Sequence, residues 1–445
     1  MDIFIGIVVG LFVLMFLVTA HEFGHFIMAR RNGVRVLEFG IGFPPRAIAW
    51  IKDPATHKWR RLKKSEWEKE GVTKTVLSDS KAAGGQKSSD KLFADGMIFS
   101  FNWLPIGGFC QMDGESAEDE RSGTFGHANF WQKTKILFGG VAMNWIVAFV
   151  ILTILAWTGM PTFLENQFTV ESDTRTTGAE VTVVQVLEGS PADEAGFESQ
   201  DIIVSAGDKE VSYASEINEY NQAHAGGEAT YKVRRVVNCS EVDWEEYKEC
   251  GYNTLTISDL RVEREISADL NAADAEYLLG ISMSSSQEFR YSTWSAPIVG
   301  AGITLQITGE TFKGLGELIW NLISGVGRMF SPDSNVRESG QAALSTVGDS
   351  VSGPVGIIGV LFPSFTSAGP ANLAFLAALI SISLACMNVL PIPALDGGRW
   401  FLIGLYKLRR KKLTKEVEQR IVTRAMFVLL ALMAIVTIID ITRFF

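Results

Sequence analysis

The sequence predicts a polytopic α-helical membrane protein with about four transmembrane helices, a membrane-associated β region and an exported α+β domain. Two observations lead there. Four apolar runs approach the thickness of a bilayer: Ile3–Ala20, Ile136–Trp157, Leu373–Leu390 and Ile421–Ile439. Charge is sorted around them. Arg30, Arg31, Arg35 and Arg46 follow the first run, and a basic stretch from Lys407 to Lys415 separates the third from the fourth. The stretch from Thr158 to Arg290 is strongly acidic. By the positive-inside rule the basic stretches are cytoplasmic, the acidic one is exported, and both termini lie outside. Spans one and three then run the same way, outside to inside. The net charge of −10 is divided by compartment in this way, and no nucleic-acid-binding surface is expected.

The elements follow in order. Residues 1–30 form the first span, and 31–133 a cytoplasmic, membrane-associated β region. Within it Val34–Phe43 and Met97–Met112 are aromatic and β-branched, broken by Gly and Pro, and read as short strands or hairpins. An insert from Asp53 to Leu92, Lys/Glu-rich and containing Ala83-Gly-Gly-Gln-Lys-Ser-Ser, reads as exposed and partly flexible. Residues 134–160 are the second span and 161–290 the exported domain. The segment 291–370 reads as interfacial or amphipathic helix, because Glu310, Lys313 and Glu317 interrupt Ala296–Phe330. Residues 371–400 are the third span, 401–420 a basic loop and 421–445 the fourth span. A cleavable signal peptide fits poorly: Asp2 stands where Lys or Arg is expected. Cys110 and Cys386 fall near or in apolar segments and are not expected to pair. Cys239 and Cys250 lie in the exported domain, where an oxidising compartment permits a disulfide; two thiols are the alternative.

Chemistry concentrates at the end of the first run, in His21-Glu22-Phe23-Gly24-His25. Positions i and i+4 share a helix face, so both imidazoles can reach one metal ion, with Glu22 beside them to take a proton. Ionisable side chains at the end of a membrane-length helix are costly unless they work together. A third ligand is needed, and Asp396 stands at the end of span three in Asn388-Val-Leu-Pro391-Ile-Pro393-Ala-Leu-Asp396-Gly-Gly398. Parallel spans one and three bring their ends to similar depth. Pro391 and Pro393 unwind the chain there, and Gly397-Gly398 lets it turn. Plainer readings have the His pair capping a helix and Asp396 capping its own turn. Asn388 offers an amide to an unwound backbone, whether a substrate's or that of its own broken helix.

These two motifs resemble the signatures of the site-2 protease family of intramembrane zinc metalloproteases, in its bacterial branch. Arg30-Arg-Asn-Gly-Val-Arg-Val, Phe39-Gly-Ile-Gly-Phe, Leu104-Pro-Ile-Gly-Gly-Phe109 and Ser352-Gly-Pro-Val-Gly-Ile357 extend the resemblance over most of the chain. It implies one catalytic Zn2+ held by His21, His25 and Asp396, Glu22 as catalytic base, and Asn388, with Pro391, holding substrate. It also implies a β region, around Gly107 and Gly108, that receives the substrate as an added strand. In the exported domain, Val181-Thr-Val-Val-Gln-Val-Leu-Glu-Gly-Ser-Pro-Ala192 and Ala195–Val204 resemble a PDZ domain, with Gln200 in place of the Gly usual before Asp201. Tyr277-Leu-Leu-Gly-Ile281 resembles its carboxylate-binding loop, so Leu279 and Gly280 are candidates to receive a peptide C-terminus; an ordinary strand is the alternative. The fold class thus becomes a four-span membrane protein with an exported α+β PDZ domain.

The expected partners are membrane lipids and single-span transmembrane proteins already shortened outside, such as anti-sigma factors or signal-peptide remnants, in a bacterial cytoplasmic membrane. The exported domain would exclude substrates with intact exported parts. Two other readings remain: a membrane-anchored zincin acting on water-exposed substrates, and a PDZ-bearing scaffold without activity.

Overall fold

The computed structural model describes residues 2–53, 56–63, 66, 96–114, 121–164, 166–177, 180–211, 213–237, 260–270, 278–285, 288–350 and 353–444. Cys239, Cys250, Tyr277 and most of the insert lie outside the described residues. The chain divides into two compact units. One comprises Met1–Thr158, Gln167–Glu171 and Thr293–Phe445; the other comprises Gly159–Asn166 and Ser172–Ser292.

Four helices of the first unit are long and apolar enough to cross a membrane: Ile3–Arg31, Phe130–Thr158, Pro370–Val389 and Lys415–Arg443. Even the shortest, of 20 residues, rises about 30 Å, the thickness of the hydrocarbon core. The helices are α1 (Asp2–Arg31), α2 (Phe130–Thr158), α3 (Ala296–Met329), α4 (Ser334–Ser350), α5 (Pro370–Val389), α6 (Asp396–Leu408) and α7 (Lys415–Phe444). Helices α1 and α2 approach closely because small residues meet at their crossing. A Cβ on Gly139 would stand 2.7 Å from the Gly24 carbonyl oxygen.

The segment expected to be interfacial is one 34-residue helix, α3. Six of its buried residues, Ala296, Val299, Gly300, Ile303, Thr304 and Ile307, form a single stripe at helical spacing, and Gly325 is buried further on. Gly300 packs directly on Thr153 of α2, and Glu310, Lys313 and Glu317 follow the end of this run. Between α4 and α5 the chain makes short helical turns, Pro354–Gly356 and Phe362–Ser367, joined by a π turn over Ile357–Leu361. Asp440 of α7 is buried there and accepts from Gly353 N (3.1 Å) and Gly356 N (2.8 Å).

Strands β1 (Val36–Lys52), β2 (Trp59–Arg61) and β3 (Ile98–Met112) form a sheet in the order β2-β1-β3. Both long strands double back. Residues 36–41 pair with 108–112 and also with 98–101, and 48–51 return beside 98–101. Gly108–Met112 is therefore an edge among the described residues. Phe39, Met97, Cys110 and Met112 pack on Phe26 and Ala29 of α1 and on Ile136 and Leu137 of α2, which fixes the sheet against both helices. Glu38 is buried within the sheet, paired with Arg46 and accepting from Ser100 Oγ at 2.7 Å.

The second unit has a six-stranded sheet and a small three-stranded one, with strands β4 (Met160–Pro161), β5 (Arg175–Thr177), β6 (Val181–Val186), β7 (Ile202–Ala206), β8 (Lys209–Glu210), β9 (Glu228–Val237), β10 (Leu260–Asp269), β11 (Ile281–Ser285) and β12 (Phe289–Tyr291). The larger sheet runs β10-β9-β7-β6-β11, with β8 paired to β7; the smaller runs β4-β12-β5. Its core gathers Val181, Val183, Ile203, Ile217, Tyr231, Val233 and Leu279. Ser190 and Pro191 start a short helix, Pro191–Ala195, where Ser190 Oγ accepts from Asp193 N at 3.3 Å. Asp201 is fully buried and held by Arg235, whose Nε and a terminal nitrogen each lie 2.7 Å from a carboxylate oxygen. Just before it, Gln200 adopts φ +76°, the left-handed backbone that glycine tolerates at no cost.

Candidate active site

The site forms where α1, α2 and the start of α6 meet. The i, i+4 spacing puts both imidazoles of α1 on one face, with His21 Nε2 and His25 Nε2 3.1 Å apart. Asp396, the first residue of α6, places Oδ2 3.0 Å from His21 Nε2 and 3.3 Å from His25 Nε2. Helix α5 stops at Val389, and the chain through the two prolines doubles back so that α6 begins against it. Side chains at Gly397 or Gly398 would collide with that chain; a Cβ on Gly397 would come within 2.8 Å of the Leu390 carbonyl oxygen. The two glycines are thus a packing requirement; the turn expected of them falls instead on Pro393 and Ala394, and both glycines are helical.

The three donors fit a metal. Two imidazole nitrogens and a carboxylate oxygen with one position left open is the donor set of catalytic zinc. Ligands about 2.0–2.1 Å from a tetrahedral ion lie about 3.3 Å from one another, close to the edges of this triangle. His25 Nδ1 is 2.8 Å from the Ile136 carbonyl oxygen, and only a ring N–H can donate to a carbonyl. In the neutral ring its Nε2 then carries the lone pair that a ligand must present.

Glu22, Asn388, Asn144, Cys110 and Met112 share with the three donors a cavity of about 390 Å3. The Glu22 carboxylate is hydrogen-bonded to the backbone of Cys110, on the sheet edge. A second cavity of about 620 Å3 shares Ala394, Leu395, Asp396 and Arg399 with the first and extends to Lys415, Glu418 and Gln419 of α7. Arg399 Nε donates to Glu418 Oε1 across it at 3.0 Å.

Of the remaining sequence candidates, Pro391 is exposed on the segment between α5 and α6. Gly107 and Gly108 lie where β3 passes α1: added Cβ atoms would stand 3.1 Å from Val18 and 3.3 Å from Thr19 Oγ1. Leu279 and Gly280 belong to the second unit. The Leu279 side chain is in its core, and the two carbonyls accept from Ala192 N and Leu187 N. Cys110 and Cys386 are buried and form no disulfide.

Sequence reasoning placed the second span but missed the part that α2 plays in the site. Ile136, Gly140 and Asn144, at successive helical turns, present a carbonyl, a gap and an amide to the His pair. A polar Asn within an apolar span was the available signal.

A family model, Peptidase family M50, matches residues 9–62 and 88–433, most of the chain. The chain belongs to this family. Family M50 comprises the site-2 proteases, so the protein is a membrane metalloprotease, a hydrolase of a zinc-dependent family. Over the full length of both, it is 26% identical to a candidate zinc metalloprotease of Staphylococcus aureus. It is 23% identical to zinc metalloprotease RasP of Oceanobacillus iheyensis, covering 98% of each chain. It is 24% identical to zinc metalloprotease Rip1 of Mycolicibacterium smegmatis, covering 91% of this chain and 86% of that one. The M50 match includes both sequence motifs that meet at the triangle.

Proposed function

We propose that this protein is a zinc-dependent intramembrane endopeptidase that cuts single-span membrane proteins after their exported parts have been shortened. The observation that carries the proposal is the triangle of His21, His25 and Asp396 inside a cavity bounded by membrane-length helices. Zinc held there supplies Lewis acidity toward a peptide carbonyl and makes water a nucleophile near neutral pH. Glu22, in the same cavity, takes the proton from the attacking water and returns it to the leaving amine. The amide of Asn388, also in the wall, binds the backbone of the unwound substrate.

A helical substrate hides its peptide bonds in internal hydrogen bonds and must unwind before it can be cut. The edge Gly108–Met112, two of whose residues line the cavity, can take the opened segment as an added strand. Gly107 and Gly108 keep this edge close to α1, and Pro391 keeps the segment before Asp396 out of helix.

The second unit acts as a PDZ domain. Strand β11 has β6 as its single ladder partner among the described residues, and Leu279 and Gly280 precede it. A peptide C-terminus would add to its other side. By the positive-inside rule this unit and both termini are exported, with the metal toward the cytoplasmic face. Anti-sigma factors and signal-peptide remnants are the substrate classes this arrangement suits. A zincin working on soluble peptides is the second reading.

The test compares the parent with Glu22→Gln in a lipid bilayer, on a single-span substrate with and without its exported domain, with mass spectrometry of the products. The proposal expects cutting of the shortened substrate within its span, by the parent alone. Equal cutting by both proteins removes Glu22 from the chemistry. Cutting confined to soluble peptides favours the zincin.

A further inference from the structure

Asn144 stands in the middle of α2 with no exposed surface. Its side-chain nitrogen Nδ2 lies 3.4 Å from His21 Nδ1, and its Oδ1 has no hydrogen-bond partner. Its backbone carbonyl accepts from Ser381 Oγ of α5 at 2.9 Å, which pins the helix at this residue. A buried amide with an orphaned oxygen beside a ligand histidine calls for an explanation.

We infer that Asn144 is a positioning residue that fixes the tautomer of His21 for metal binding; this rests on the zinc site proposed above. His21 Nε2 faces His25 Nε2 and Asp396 Oδ2, so it must present a bare lone pair to a metal, and Nδ1 must carry the ring proton. A donor opposite Nδ1 would force the opposite tautomer and place a proton on Nε2. Oxygen and nitrogen of an amide are nearly the same size, and a half-turn of the group exchanges them. That half-turn sets Oδ1 against Nδ1–H, where it accepts, and turns Nδ2 into the place that Oδ1 held.

The two ligand histidines are then fixed by the same helix: His25 by the backbone carbonyl of Ile136, His21 by the side chain of Asn144. Gly140 lies midway and leaves room for the rings. A neighbour of this kind orients the ligand, and losing it weakens metal binding about 10–100-fold.

The experiment measures zinc affinity of the full-length protein in detergent by competition with a chelator. Asn144→Leu keeps the branched shape and removes the acceptor; it is expected to bind zinc about 10–100-fold more weakly. Asn144→Asp keeps an acceptor and is expected to stay within about threefold of the parent. Ser381→Ala, which releases α2 from α5 without touching His21, is expected to bind like the parent. Parent-like affinity of Asn144→Leu overturns the inference. So does a tenfold or greater loss in Asn144→Asp, which decides the matter alone if the Leu variant does not fold. A parent that binds no zinc fails the metal site itself, a separate result.

Discussion

A Cβ on Gly140 would stand 2.6 Å from His25 Nε2 and 2.7 Å from His21 Nε2, in the space where a metal must approach both rings. The His pair is usable because α2 carries no side chain at that point. Gly140→Ala is therefore expected to reduce zinc content to near zero and to abolish cleavage. In an exposed helix the same change would add about 1 kcal/mol of stability. Metal analysis of the purified variant checks this; a full complement of zinc would show that the helices separate without harm.

Asp440 ties the last membrane-length helix to the turn before α5 through two backbone N–H groups. Asp440→Ala leaves both donors unsatisfied in a buried place, a loss of about 1–3 kcal/mol. Thermal unfolding in detergent is expected to show a lower Tm with zinc content unchanged, since the residue contacts none of the three donors.

Glu38 and Arg46 join two passes of β1 beneath Ser100. Removing the carboxylate leaves Ser100 Oγ and the partly exposed Arg46 guanidinium without it, at a cost of about 1–3 kcal/mol. Glu38→Ala is expected to loosen the sheet that holds the Gly108–Met112 edge. Hydrogen exchange across residues 98–112 should rise, and cleavage of a transmembrane substrate should fall while zinc is retained.

Gln200 sits in a left-handed conformation that costs a side chain about 1–2 kcal/mol. Gln200→Gly relieves this and is expected to stabilise the full chain by about 1 kcal/mol after the extra entropy of glycine is counted. Chemical unfolding followed by hydrogen exchange over β6 and β7 measures it.

Gln200 was also visible beforehand, as the departure from a glycine before Asp201, although its φ was not. The four long helices were legible because hydrocarbon thickness sets length and composition together. The convergence of His21, His25 and Asp396 could be anticipated from helical spacing and from the common direction that the charge pattern leads one to expect of spans one and three. Gly139 and Gly140 were hidden because their roles depend on where α1 crosses α2, and within an apolar run a glycine carries no mark of what it faces; Asn144 stood out as a polar residue there, but the sequence did not show that it faces His21. The π turn at Ile357–Leu361 was equally silent, since nothing in its apolar residues distinguishes it from α-helix. Ala296–Met329 was expected as helix, interfacial or amphipathic; Glu310, Lys313 and Glu317 interrupt its apolar run and follow the stripe that packs near its start, without breaking the helix.

The most direct test is zinc X-ray absorption of the purified, active protein. Two imidazoles and oxygen ligands at about 2.0–2.1 Å are expected, with the imidazole signal lost in a His21→Ala, His25→Ala double variant. A sulfur ligand at about 2.3 Å, for which Cys110 in the cavity wall is the nearest candidate, or an imidazole signal that survives the double variant, would contradict it.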